Sequence, residues 1–262
     1  MNPALRTAAS GMMAQQTRTE VISNNLANVN TTGFKRSRAH FEDLLYQTVQ
    51  GSTAVGLSNS AVLPAIQVGR GVRLASVQRL HSQGPVEQTQ RPLDLAIEGE
   101  GFFQLQLTNG NIGYTRDGTF QISDSGTITT QQGYTLVPGI TIPQDSSEVT
   151  ISRTGVVTAL RGGEGEPVEL GRLELARFAN PAGLLSAGEN VYTQTAASGE
   201  PVLGYPEDDG MGRLMQGYLE GSNVEIVQEM VDMITSMRAY EINSKAIKNS
   251  EEMGQIANGL IR

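Results

Sequence analysis

Apolar residues recur in alternating steps of three and four at both ends of this chain, and the stretch between them follows a shorter period. From the N-terminus, Leu5, Ala8, Met12, Gln15, Thr19, Ile22, Leu26 and Val29 keep that spacing, the seam of a helix laid lengthwise against another helix. Polar Gln15 and Thr19 interrupt it, and Ala4, Ala8, Ala9, Ser10, Gly11 and Ala14 leave room for a neighbour's close approach. Asn2 suits an N-cap and Pro3 the first helical position. The stop falls in Asn28–Gly33, where Gly33 is free to adopt a left-handed conformation.

The other end repeats the pattern. Ser222 and Glu225 read as a capping box. Beyond them Ile226, Met230, Met233, Met237, Tyr240, Ser244 and Ile247 again step by four and three, and Val227, Val231 and Ile234 widen the stripe. Met253, Ile256 and Leu260 carry an apolar face onward. At 1.5 Å per residue such a helix runs roughly 55 Å, long for a compact domain of this size. Neither helix hides its stripe alone. Packing on each other or on copies of themselves is one solution, and lying back on the middle of the chain is the alternative.

That middle reads as β. Val72–Leu80, Phe102–Leu107, Ile112–Arg116, Thr119–Ile122, Thr127–Thr130, Tyr134–Val137, Val149–Ser152, Val156–Leu160 and Leu173–Phe178 are strand-like pieces separated by glycine turns. Asn109-Gly110 between two of them is a strong hairpin signal. The reading is a mainly β chain with terminal α-helices: an N-terminal helix over 1–30, an extended connector and loop over 31–70, an all-β domain over 71–220 and a C-terminal helix over 221–262. Gly51–Ser60 and the acidic Ser198–Gly212 are read as loops.

Composition narrows the function. There is no Cys, and His40 and His81 are the whole histidine complement, which removes thiol catalysis, disulfides and Cys/His zinc sites. A net charge of -8 without a basic run argues against a nucleic-acid partner. No apolar run reaches the 18 or so residues of a membrane span, and no secretory signal stands at the start. Gly69-Arg70-Gly71 and Gly99-Glu100-Gly101 lack the third glycine of a dinucleotide loop. Asp94, Glu98 and Glu100 form the best carboxylate cluster, read as strand-edge ion pairs. No catalytic residue, metal or cofactor is expected. A secreted β-rich carbohydrate-acting enzyme or adhesin is the rival class.

Four motifs then carry a resemblance. Ser23–Arg36, reading SNNLANVNTTGFKR, and Gly221–Val224 with Arg238–Lys245 resemble the N- and C-terminal signatures of bacterial flagellar rod and hook proteins. Leu93–Phe103 and Tyr114–Gly118 are similar to central motifs of the same family. Chain length and the Leu44–Gln47 to Val68–Gly69 stretch look most like its distal-rod members, with a proximal rod protein of similar size as runner-up.

The resemblance implies a structural subunit of the flagellar basal body. Its terminal helices would line an inner tube around the export channel, and its β domain would form the outer wall of a drive shaft crossing the periplasm. It implies a homo-oligomer (an open helical tube), proximal rod proteins below and hook protein above. A rod cap and the type III export machinery would act during assembly, with envelope rings around the rod where present, without membrane insertion. In that frame Leu5, Ala8, Met12, Ile22 and Leu26 are expected to meet Ile226, Met230, Met233 and Met237 within and between subunits, with Tyr240 and Ile247 on the same stripe. Asn24, Asn25, Asn28 and Asn30 are expected to bond between subunits or to shape the helix end. Gly51–Ser60 is expected to add axial contacts.

Overall fold

A computed structural model describes residues 3–50, 53–55, 61–63, 65–161, 167–208 and 210–259, and the chain divides into two compact units. The expected Asn2 cap, Leu260 and most of Gly51–Ser60 lie outside the described residues. One unit holds Met1–Leu26, Ser37–Gln78 and Glu225–Arg262; the other holds Ala27–Arg36 and Arg79–Val224.

The first unit contains both long helices: α1 over Pro3–Ala27 and α2 over Ile226–Gly259. The capping box does not form. Ser222 Oγ accepts from the N–H of Val224 at 3.3 Å instead, in a turn before the helix, and the Glu229 N–H bonds the Glu225 carbonyl. The serine oxygen is therefore spent two residues on, and the helix starts at Ile226.

The connector is more regular than expected. Ser37–Asp43 pairs with Val72–Arg79, Gln47–Gln50 with Ile66–Val68, and Thr53–Val55 with Ala61–Leu63, all antiparallel where the register is defined. These pairs run as a two-stranded ribbon. It hides little of its side-chain area: Leu45, Tyr46, Val49, Ile66 and Val68 are all exposed.

Among the described residues, Arg79–Val224 of the second unit holds short β-strands and a 3-10 turn at Pro181–Gly183. Its largest sheet is centred on Phe102–Gln106, which pairs with Ile112–Thr115 on one side and with both Thr135–Leu136 and Leu175–Arg177 on the other. Asn109-Gly110 makes the expected hairpin, with Gly110 at φ +82° and the Leu107 N–H on the Asn111 carbonyl. Side chains two apart share a face of a strand, so neighbours Phe102 and Phe103 enter different cores. Phe103 joins Leu95, Ile97, Leu105, Phe120 and Leu175, while Phe102 joins Tyr114, Phe178 and Tyr192. A three-stranded sheet of Ser146–Ile151, Val156–Arg161 and Pro167–Arg172 supplies Ile151 and Val157 to the first core.

Sequence periodicity missed the short strands Leu95–Glu98, Val86–Gln88, Arg213–Gln216 and Tyr218–Glu220. The acidic Ser198–Gly212 segment also contains a strand, Val202–Gly204, paired with Leu175–Arg177.

Candidate functional site

Polar and small residues supply the hydrogen bonds and a close approach between the two helices. On α2, Glu229, Ser236, Asn243 and Ser250 fall seven residues apart; Glu229 and Ser236 are fully buried and Ser250 nearly so. Opposite them on α1 stand Asn25, Thr19 with Gln15, and Gly11. Asn25 Nδ2 donates to Glu229 Oε2 at 3.1 Å. Ser236 Oγ lies 3.0 Å from Thr19 Oγ1 and donates to the Gln15 carbonyl at 2.9 Å. Arg18 pairs with Asp232 at 3.0 Å. A Cβ placed on Gly11 would come within 2.9 Å of Asn243 Nδ2. Residue numbers rise on one helix as they fall on the other, so the pair is antiparallel. Gln15 and Thr19, the polar breaks in the α1 pattern, are thus the residues that bond α2.

Asn25 has a second task. Its side chain brackets Ser37, donating to the Ser37 carbonyl at 2.8 Å and accepting the Ser37 N–H at 2.9 Å. An Asn buried inside a helix needs such partners, and these two bonds fix where the chain re-enters the ribbon. Asn28 accepts from the Thr31 hydroxyl at 3.1 Å in the turn that follows α1. Asn24 is exposed.

The apolar stripe of α2 faces outward. Ile226, Met230, Met237 and Tyr240 are each between 44% and 54% exposed. Val227, Val231, Ile234, Met253 and Ile256 are exposed too, whereas Met233 and Ile247, nearer the seam, are half-buried. At 100° per residue this stripe lies roughly a quarter turn around α2 from the polar seam. On α1, Ile22 is buried, and Leu5, Ala8, Met12 and Leu26 are half-buried. The large apolar residues of α2 leave it with an extended exposed apolar face.

A different kind of site lies in the β unit. Lys35 Nζ donates to Glu220 Oε1 at 2.5 Å and to the Ser82 carbonyl at 2.8 Å. Glu220 Oε2 accepts from Arg116 Nη1 at 3.3 Å, and Glu220 Oε1 also takes the Gly84 N–H at 2.9 Å. Arg116 Nη2 caps the Gly99 carbonyl at 2.7 Å. Burial pulls the Lys35 ammonium below its ordinary pKa, and the Glu220 carboxylate opposes that pull. His81 lies edge-on to Phe102 and Tyr192. Burial first, then the charges of Lys35, Arg116 and Arg79, bring its pKa down to about 4. Asn223 ties the same region, accepting the Arg36 N–H at 2.7 Å and donating to the Leu80 carbonyl at 2.8 Å. Such a cluster closes a structure; it has no open face for a substrate. A lysine directly after Gly33-Phe34 is a faint signal for it, and Glu220 carries none.

The carboxylates singled out by sequence are tied individually. Glu98 pairs with Arg213 at 2.6 Å, Asp94 accepts from the Thr89 hydroxyl at 2.6 Å, and Glu100 lies 3.9 Å from Arg177. Among the described residues, no cluster of His, Asp and Glu could hold a metal ion, and no helix is long and apolar enough to cross a membrane.

Comparison with known proteins matches three family models in chain order. Residues 5–35 match the flagella basal body rod protein model, 96–159 the D1 domain of the flagellar hook protein FlgE/F/G, and 215–260 the C-terminal region of flagellar basal body rod FlgEFG proteins. The chain is 48% identical to the flagellar basal-body rod protein FlgG of Borreliella burgdorferi, with 100% of both chains covered. It is 48% identical to that of Caulobacter vibrioides, over 98% of each chain. For Bacillus subtilis the identity is 37% over 96% of each.

Proposed function

This chain belongs to the flagellar basal-body rod protein family, a structural component of the flagellar basal body, and on that footing we propose that it builds the distal rod. Copies stack into a rigid, open helical tube that carries torque from motor to hook. Each subunit uses two different surfaces, and the rotation between neighbours does not close into a ring. The chain does no chemistry in this role. Proximal rod proteins lie below it and hook protein above.

The observation that supports this reading is the outward apolar stripe of α2. In the assembly Ile226, Met230, Met233 and Met237 meet Leu5, Ala8, Met12, Ile22 and Leu26 within and between copies, with Tyr240 and Ile247 on the same stripe, forming the inner helical layer, while residues 71–220 form the outer wall. Burying each Met, Leu or Ile contributes about 1.5–3 kcal/mol before ordering costs, and repetition along the tube makes modest contacts add up to stiffness. Asn24 and Asn28 stand at the same end of α1 for contacts between copies. The ribbon, with Leu45, Tyr46, Val49, Ile66 and Val68 exposed, supplies axial contacts alongside the Gly51–Ser60 segment.

Sedimentation of the purified chain over a concentration series tests the reading. Monomer at low concentration and long straight tubes above a threshold are expected. A chain that stays monomeric at every concentration contradicts it.

A further inference from the structure

The α1–α2 seam holds back polar groups where an ordinary helix pair would place leucines. Glu229, Ser236, Asn243 and Ser250 repeat every seven residues along α2, and the first three meet Asn25, Thr19 with Gln15, and Gly11. Roughly a quarter turn away the same helix carries a richer apolar stripe, which stays exposed. Burial of apolar area alone would put that stripe against α1. The polar rungs are what turn it away.

We propose that these rungs are the specificity device of assembly: they dictate which face of α2 its own chain takes, and so reserve the apolar face for a second copy. The inference rests on the self-assembly reading above. Polar groups at seam positions cost stability and fix register, because any other register leaves them buried without partners. Here a roll of α2 that brought Met230 and Met237 onto α1 would break the Ser236 bonds to Thr19 and Gln15. It would also part Glu229 from Asn25, and Arg18 from Asp232. The chain therefore gives up a greasier intramolecular pairing, which would satisfy the stripe within one molecule and stop growth. Repulsion of the wrong pairing is as much a part of recognition as attraction to the right one.

Two full-length variants test this against wild type by the concentration at which tubes appear. Glu229→Met with Ser236→Ala removes the polarity at nearly unchanged volume, and α2 becomes free to roll. The expected result is a threshold at least tenfold higher, or irregular aggregates in place of tubes. Glu229→Gln keeps the bond to Asn25 and is expected to assemble within twofold of wild type. If the apolar variant loses its helical circular dichroism while Glu229→Gln keeps it, the rungs hold the pair as well as orient it, and the inference stands. Equal thresholds for all three proteins overturn it, as does a loss in Glu229→Gln as large as in the apolar variant. Failure of wild type itself to polymerise counts against the assembly reading instead, so the two failures are distinguishable.

Discussion

Lys35 Nζ sits 2.5 Å from Glu220 Oε1 with neither side chain exposed to solvent, although 185 residues separate the two in sequence. The same carboxylate also faces Arg116, so one anion serves two buried cations. Removing one member of a buried ion pair costs about 3–5 kcal/mol, because the remaining charge is left without compensation. Glu220→Gln leaves both cations in that state and is expected to cost at least this range. Lys35→Met leaves Glu220 and Arg116 matched one to one and is expected to cost less. Urea unfolding at constant m-value reads the difference.

His81 makes stability depend on pH. Its folded pKa of about 4 lies below the ordinary 6.5, so in the window between those values the unfolded chain binds a proton that the folded chain refuses. Stability therefore rises with pH across that window. Its full contribution is present above pH 6.5 and is lost as pH falls to about 4, by about 3 kcal/mol. His81→Phe keeps the edge-on ring contacts and is expected to flatten this part of the profile, so the variant gains on wild type at pH 5 and not at pH 8. Thermal melts at the two pH values check it.

Two glycines separate space from backbone conformation. At Gly33 φ is +67°, and a Cβ would lie 2.7 Å from the backbone nitrogen of Asp117; neither the conformation nor the neighbour can yield cheaply. Gly33→Ala is expected to destabilise by about 1–3 kcal/mol. Gly11 is helical, and the nearest atoms its Cβ would meet belong to the side-chain amide of Asn243. Helix propensity favours Ala there by up to about 1 kcal/mol, so Gly11→Ala is expected to be near neutral in the monomer melt.

Met230→Ser and Met237→Ser change side chains that are half exposed in the single chain. Both are expected to leave monomer melting within about 0.5 kcal/mol of wild type while raising the threshold for tube formation several-fold. Sedimentation beside circular dichroism reads both quantities on one sample.

Much of this architecture is legible in residue order, and the misses have physical causes. Helical period and Asn109-Gly110 are local signals, and they locate α1, α2 and the central hairpin. The apolar steps from Ile226 to Ile247 mark a real face, but periodicity counts only apolar residues and so points away from Glu229, Ser236 and Asn243, which make the intrachain seam. Gln15 and Thr19 read as weaknesses until their partner is known. Glu220 gives no local sign of burial, because what buries it is Lys35 and Arg116, far away in sequence. Val72–Leu80 reads as a strand, but its ribbon neighbours Gln47–Gln50 and Ile66–Val68 do not, because every side chain in them is exposed, which leaves no alternation to read.

The absence of cysteine allows one direct measurement. Met237→Cys, labelled with a photoactivated cross-linker, reports what lies against the outward face of α2 in assembled tubes. Cross-links to α1 or α2 of another copy, appearing only above the assembly threshold, are the predicted result. Cross-links confined to the same chain, or none in intact tubes, would contradict the assignment of that face to neighbouring subunits.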